Sequence, residues 1–223
     1  MRQMELSLAS GARTSTIVPF QSNYASDPQL CLTCVSFLTK DVAKKIQNQI
    51  ITLLQKLEPD FYYYPVESLH ITIQNIRVIN YPPHYGPTEI AKAKNLLSEF
   101  VPLYESFRFE LNGTIQMPTS LAVIALASPE YDQFVRILRR AFIDADIPDD
   151  KKYFTNEIVF ANTTICRYTH KPSQKFLKKL ETLKDADIGT FVAGGVSLIE
   201  TNAAAYSSKT RVFGTYQFKN PHG

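Results

Sequence analysis

The chain has 223 residues, of which 44% are hydrophobic and 20% charged, with a formal net charge of +3 and three cysteines. That is enough apolar material for one sizeable core, and too little positive charge for a dedicated double-stranded DNA binder, although it suits a phosphate-bearing ligand. With no apolar run long enough to span a membrane, no secretory core at the N-terminus and no disulfide framework, a cytoplasmic location is expected.

Residues 1–28, rich in Ser, Thr, Gln and Asn, are expected to be a partly ordered extension, which leaves 29–223 as a single bilobal domain. Leu30 to Leu38 ("LCLTCVSFL") predicts a buried strand. A helix follows, with Val42, Ile46, Ile50, Leu53, Leu54 and Leu57 at helical spacing and Asp41 placed to cap it. After the aromatic loop "FYYYP", the alternation of Leu69, Ile71 and Ile73 with His70, Thr72 and Gln74 predicts a strand with one polar face. A second helix is predicted from Pro87 to Val101, ended by Pro102, then strands from Phe107 to Ile115 and Leu121 to Ala127. Ser128 and Pro129 open a third helix with Phe134, Val135, Leu138 and Phe142 inward. "FANTTICRY" is the next strand, Ser173 to Leu183 a short basic helix, and "FVAGGVSLIET" and "TRVFGTYQF" close the chain as two strands.

The fold class expected is α+β with largely antiparallel sheets. Twice the chain runs strand, amphipathic helix, proline-containing loop, then a strand with a short polar motif. The motifs are His70-Ile71-Thr72-Ile73 and Asn162-Thr163-Thr164-Ile165. Two such units related by a pseudo-twofold would line a central cleft with both motif strands, helices outside. Side chains two apart on a strand point the same way, so an imidazole beside a hydroxyl makes a pair suited to a phosphate oxygen. Tyr168 shares the strand parity of Asn162 and Thr164 and is a candidate substrate contact or a packing aromatic. Arg167 has the opposite parity, which suggests a structural ion pair, with phosphate contact through a bend as the alternative. Arg139, Arg140, Lys151, Lys152, Lys171, Lys175, Lys178 and Lys179 crowd the same quarter of the chain and are expected mostly on solvated helix faces. "CLTC" has no second half for a zinc site, and no Gly-rich phosphate loop or nucleophile elbow occurs.

The repeated His-x-Thr-hydrophobic pattern resembles the two-histidine (2H) phosphoesterase superfamily, which includes the 2'-5' RNA ligase-like proteins and the 2',3'-cyclic phosphodiesterases. The resemblance spans Leu30 to Phe218. It matches fully at His70 and Thr72, and at Thr164, Ile165 and Arg167 in the second motif, where Asn162 stands in the histidine's place. It implies that His70, Thr72, Asn162 and Thr164 form the catalytic set; Arg167 and Tyr168, from their place on the strand, are the candidate substrate contacts. The ligand implied is a nucleotide, cyclic nucleotide or short RNA with a 2'-5' or 2',3'-cyclic phosphate. In that family one histidine is general base and the other general acid, with no metal or cofactor required.

Asn162 cannot exchange protons near neutral pH, so three accounts stand side by side. His70 works alone; or phosphate binding survives without catalysis, making the chain a nucleotide- or RNA-binding protein that senses or sequesters its ligand; or Asn162 is an engineered replacement that traps a ligand.

Overall fold

The computed structural model describes residues 17–153 and 159–219. The strands are β1 (Leu30–Phe37), β2 (Tyr62–Tyr63), β3 (His70–Asn80), β4 (Phe107–Gln116), β5 (Ser120–Ala127), β6 (Ala161–Arg167), β7 (Asp187–Ala193), β8 (Gly195–Thr201) and β9 (Arg211–Gln217). The helices are α1 (residues 40–55), α2 (Pro87–Phe100), α3 (Pro129–Asp144) and α4 (Gln174–Glu181). All ladders are antiparallel, in one sheet ordered β3-β1-β8-β9 and a second ordered β2-β6-β5-β4-β7. The fold is α+β with two antiparallel sheets, as the alternation of patterns predicts.

The repeat is visible in the topology. β3 pairs with β1, the strand before its connecting helix α1, and β6 pairs with β5, the strand before α3. β3 and β6 then come into contact with each other although they belong to different sheets. A strand-helix-strand unit of this kind cannot bury both faces alone, so each completes its sheet with later strands: β8 on β1, β4 on β5.

Helix α1 buries Val42, Ala43, Ile46, Ile50, Ile51 and Leu54. Each large aliphatic side chain taken out of water here contributes about 1.5–3 kcal/mol. A π-helical turn occupies Gln47–Ile51, with the Thr52 hydroxyl donating to the Gln47 carbonyl at 2.8 Å, and it shifts the apolar stripe so that Leu53 faces solvent. Asp41 lies inside the first turn rather than capping it, because the N-cap position falls on Thr39. Helix α3 buries Phe134, Val135, Leu138 and Phe142 as the spacing predicts, and α4 buries Phe176 and Leu180. The Ser173 hydroxyl accepts from the Phe176 N–H at 3.3 Å to cap α4.

The "FVAGGVSLIET" segment is two strands, not one. β7 lies at the edge of the second sheet and β8 inside the first, with Gly194 between them. At Gly195 an added Cβ would stand 2.4 Å from the Tyr216 carbonyl oxygen, so only glycine lets β8 and β9 approach this closely where the chain changes sheets. In the N-terminal segment Tyr24 is buried; its hydroxyl donates to the Tyr168 carbonyl at 3.1 Å, and its own carbonyl accepts from the Asn202 amide at 2.6 Å. The part of the extension between 1 and 16 lies outside the described residues.

Candidate functional site

Both motif strands carry a one-residue bulge at the same place. In β3 the partners step from Val35–Thr72 to Cys34–Gln74, leaving Ile73 unmatched; in β6 they step from Ala122–Thr164 to Leu121–Cys166, leaving Ile165 unmatched. Each bulge falls on the isoleucine directly after the motif threonine. A bulge inserts one residue against the pleat and so exchanges the two faces of the strand beyond it.

This exchange decides where the side chains go. Before the bulges His70 and Thr72 point into one cleft, and Asn162 and Thr164 into the same cleft from the other sheet. After them Asn75 and Arg167 also face it, although simple alternation would turn them away. Tyr168 is carried the opposite way. It is 0% exposed, packed 4.9 Å from the Phe61 ring and edge-on to Phe176, and it does not line the cleft. The ion pair suggested for Arg167 is also absent among the described residues, and the bend brings its guanidinium to the cleft instead.

The cleft has a volume of about 360 Å³. Arg139, Lys151, Lys152 and Arg167 line it, and no Asp or Glu does among the described residues. Sequence spacing alone places most of the cations of this quarter on solvated faces. That holds for Arg140, which is paired with Asp144 on the surface of α3, but not for Arg139 one residue earlier.

His70 sits at the start of β3, half-buried, with Phe37 and Tyr64 edge-on to its ring. Its Nδ1 is 2.7 Å from the Ser68 carbonyl. A carbonyl can only accept, so Nδ1 carries the proton and Nε2 is left as the lone-pair nitrogen. Burial pushes the imidazole below its ordinary pKa; the Ser68 contact opposes this and the Arg167 charge adds to it. The ring is therefore neutral at pH 7, the state a general base needs.

Arg167 is held from behind. Its Nε donates to the Ala203 carbonyl at 2.8 Å and to the Tyr64 hydroxyl at 3.3 Å, and that hydroxyl donates to the same carbonyl at 2.8 Å. The Ala203 carbonyl is presented by a tight loop. The Asn202 side chain accepts from the N–H groups of Ala204 and Tyr206 at 3.2 and 3.1 Å, while Ala205 takes a left-handed φ of 45°. The Tyr64 N–H in turn donates to the carbonyl of bulged Ile165 at 3.1 Å. Loop, bulge and guanidinium form one connected support. The side chains of Thr72, Asn162 and Thr164 have no hydrogen-bond partner among the described residues, so their donors face the cleft unengaged.

The other titratable groups are unremarkable for catalysis. His170 packs 4.9 Å from Phe61, is exposed and does not line the cleft, and neither does His84. Cys31 faces the cleft but donates to the Thr201 carbonyl at 3.2 Å, and burial pushes its thiol up to about 11. No cluster of three or more His, Cys, Asp or Glu side chains able to hold a metal occurs among the described residues.

No family model matches this chain, and no curated protein matches it. Solved structures do. ATU0111 of Agrobacterium tumefaciens, described as a conserved protein of unknown function, superposes with a TM-score of 0.63 at 14% identity, covering 92% of this chain and 96% of that one. A phosphoesterase gives 0.57 at 14% identity over 86% and 99%. LigT of E. coli, complexed with 3'-AMP, gives 0.58 at 12% identity over 85% and 98%. This chain has the LigT-type fold. At such identities the likeness carries the fold alone, and the chemistry of the cleft rests on its own residues.

Proposed function

We propose that the chain is a divergent two-histidine-type phosphoesterase that hydrolyses a nucleotide or short RNA with a 2'-5' or 2',3'-cyclic phosphate. One observation supports this above the others: four cations, the two motif threonines and a neutral imidazole share a cleft that no described carboxylate lines. Such a lining favours an anion over any cationic or neutral ligand. The structures of E. coli LigT with ATP, with 3'-AMP and with NADP+ support a nucleotide as the ligand class for the fold.

In the reaction, His70 Nε2 takes a proton from water as the water oxygen attacks phosphorus. Thr72, Thr164 and the Asn162 amide donate to the non-bridging oxygens, and Arg167 offsets the charge that builds on them. The P–O bond to the leaving ribose oxygen breaks, and that oxygen takes its proton from solvent. Water has then been added across one phosphodiester bond, giving a phosphomonoester and a free hydroxyl. Asn162 cannot supply the leaving group's proton, and the absence of one general acid typically lowers the rate by about 10²- to 10⁴-fold.

That deficit favours a second reading. A chain that keeps Thr72, Thr164 and Arg167 but lacks one imidazole can serve as a nucleotide-binding protein without turnover. Chromatography of 2',3'-cyclic nucleotides and 2'-5' oligonucleotides incubated with the native chain and with His70→Ala separates the two. Turnover that disappears in the variant supports the enzyme. Ligand that raises Tm and is recovered intact supports the binding protein. Neither turnover nor protection by any nucleotide would overturn both.

A further inference from the structure

The cleft holds more cations than one phosphodiester requires, and one of them, Arg139, is held at Gln74, four residues along β3 from His70. Arg139 on α3 lies with its guanidinium carbon 4.2 Å from the centre of the Tyr153 ring, and the Lys151 ammonium is 5.4 Å from the same centre. Both face the cleft. The arrangement is held from beneath: the Gln74 side chain accepts from Arg139 Nε at 3.2 Å and donates to Asp149 at 2.6 Å, and Asp149 also accepts from the Tyr153 hydroxyl. Gln74 is the residue directly after the β3 bulge, so the same irregularity that turns Asn75 toward the cleft fixes this cluster.

The charges do not balance around a single phosphate. Lys151 feels the charges of both Arg167 and Arg139, and Asp149 is the carboxylate set against Arg139 and Lys151. Described ion pairs join Lys92 to Asp146, Arg136 to Asp132 and Arg140 to Asp144, and none involves these three cations. A phosphodiester carries one negative charge, and Arg167, whose charge also acts on His70, lies on the side where that group would bind. Arg139 has spent one of its five N–H donors on Gln74, leaving the fork that suits a phosphate monoester. Burial opposes the charged form of Lys151, and an arriving dianion would relieve it.

We propose that Arg139, Lys151 and Tyr153 form a second phosphoryl subsite, so that the preferred ligand carries another phosphoryl group besides the one at His70, Thr72 and Thr164. This inference rests on the phosphoesterase-type reading of the cleft. The second group is a terminal monoester on the same nucleotide or the next linkage of an oligonucleotide; both present the same anionic oxygens.

Calorimetric titration of the full chain distinguishes the cases, using adenosine 3'-monophosphate, adenosine 3',5'-bisphosphate and a 2'-5'-linked dinucleotide ending in a 3'-phosphate. The bisphosphate or the dinucleotide is expected to bind about 10- to 100-fold more tightly than the monophosphate. Lys151→Gln and Arg139→Gln should each erase most of that preference, weakening the larger ligands by more than the monophosphate, with Tm reporting that each variant is folded. Whichever of the two larger ligands binds better identifies the source of the second phosphoryl group. Equal affinity for all three ligands, or a preference that survives in both folded variants, overturns the subsite alone. No binding of any of the three overturns the phosphoesterase reading beneath it.

Discussion

Replacing Asn162 by histidine should raise turnover by about 10²- to 10⁴-fold, the contribution typical of one positioned general acid. At about 1.36 kcal/mol per factor of ten, that is about 2.7–5.4 kcal/mol of barrier. The structure says why the new imidazole would work. Position 162 faces the cleft three residues before the β6 bulge, as position 70 does before the β3 bulge. His70 holds its tautomer by donating from Nδ1 to a carbonyl two residues earlier, and the residue two before position 162 is Phe160, whose carbonyl would serve the same purpose. The new ring would therefore present Nε2 to the ligand, facing His70 from the other sheet. The assay is hydrolysis of a 2',3'-cyclic nucleotide followed by chromatography across pH, in chelator. The native chain should show only an acid limb, with the rate rising as His70 loses its proton. Asn162→His should show a bell, because one imidazole must be neutral and the other charged. An unchanged rate in a folded variant that binds 3'-AMP as tightly as the native chain would refute the reasoning.

His70→Gln should abolish turnover and also alter stability against pH. The folded His70 pKa lies below its unfolded value of about 6.5, so the unfolded chain binds the extra proton. His70 therefore leaves stability intact above that pH and lowers it as pH falls through about 6.5 toward the folded value; in His70→Gln this part of the slope in denaturant titrations should vanish. Arg167→Met removes the charge-assisted bond to the Ala203 carbonyl, which should cost about 1.5–3 kcal/mol of stability by urea unfolding and weaken 3'-AMP binding with it. Tyr168→Phe deletes a buried hydroxyl that has no partner among the described residues, so it should change stability by less than about 1 kcal/mol and leave KM unchanged; a raised KM would make Tyr168 a substrate contact. Gly195→Ala should destabilise by about 1–3 kcal/mol, since its Cβ would have to displace the Tyr216 carbonyl.

Much of this protein is written locally. Apolar spacing marks α1, α3 and α4, alternation marks β3 and β6, and the two x-Thr-Ile motifs after similar helices announce a duplication with a shared polar cleft. These signals survive folding because each depends on a repeat of 2 or about 3.6 residues that a short window contains. What the sequence could not decide depends on partners far along the chain. The bulges at Ile73 and Ile165 exist because β1 and β5 pair with β3 and β6 in a particular register, and they reverse the faces of Arg167 and Tyr168 that alternation assigns. The switch at Gly194 is fixed by β4 on one side and by β1 and β9 on the other. Arg139 and Lys151 become cleft residues only when α3 and the loop after it pack beside β3. A side chain's face is a local property until a strand slips by one residue against its neighbour; beyond that point only the pairing across the sheet determines which charges meet the ligand.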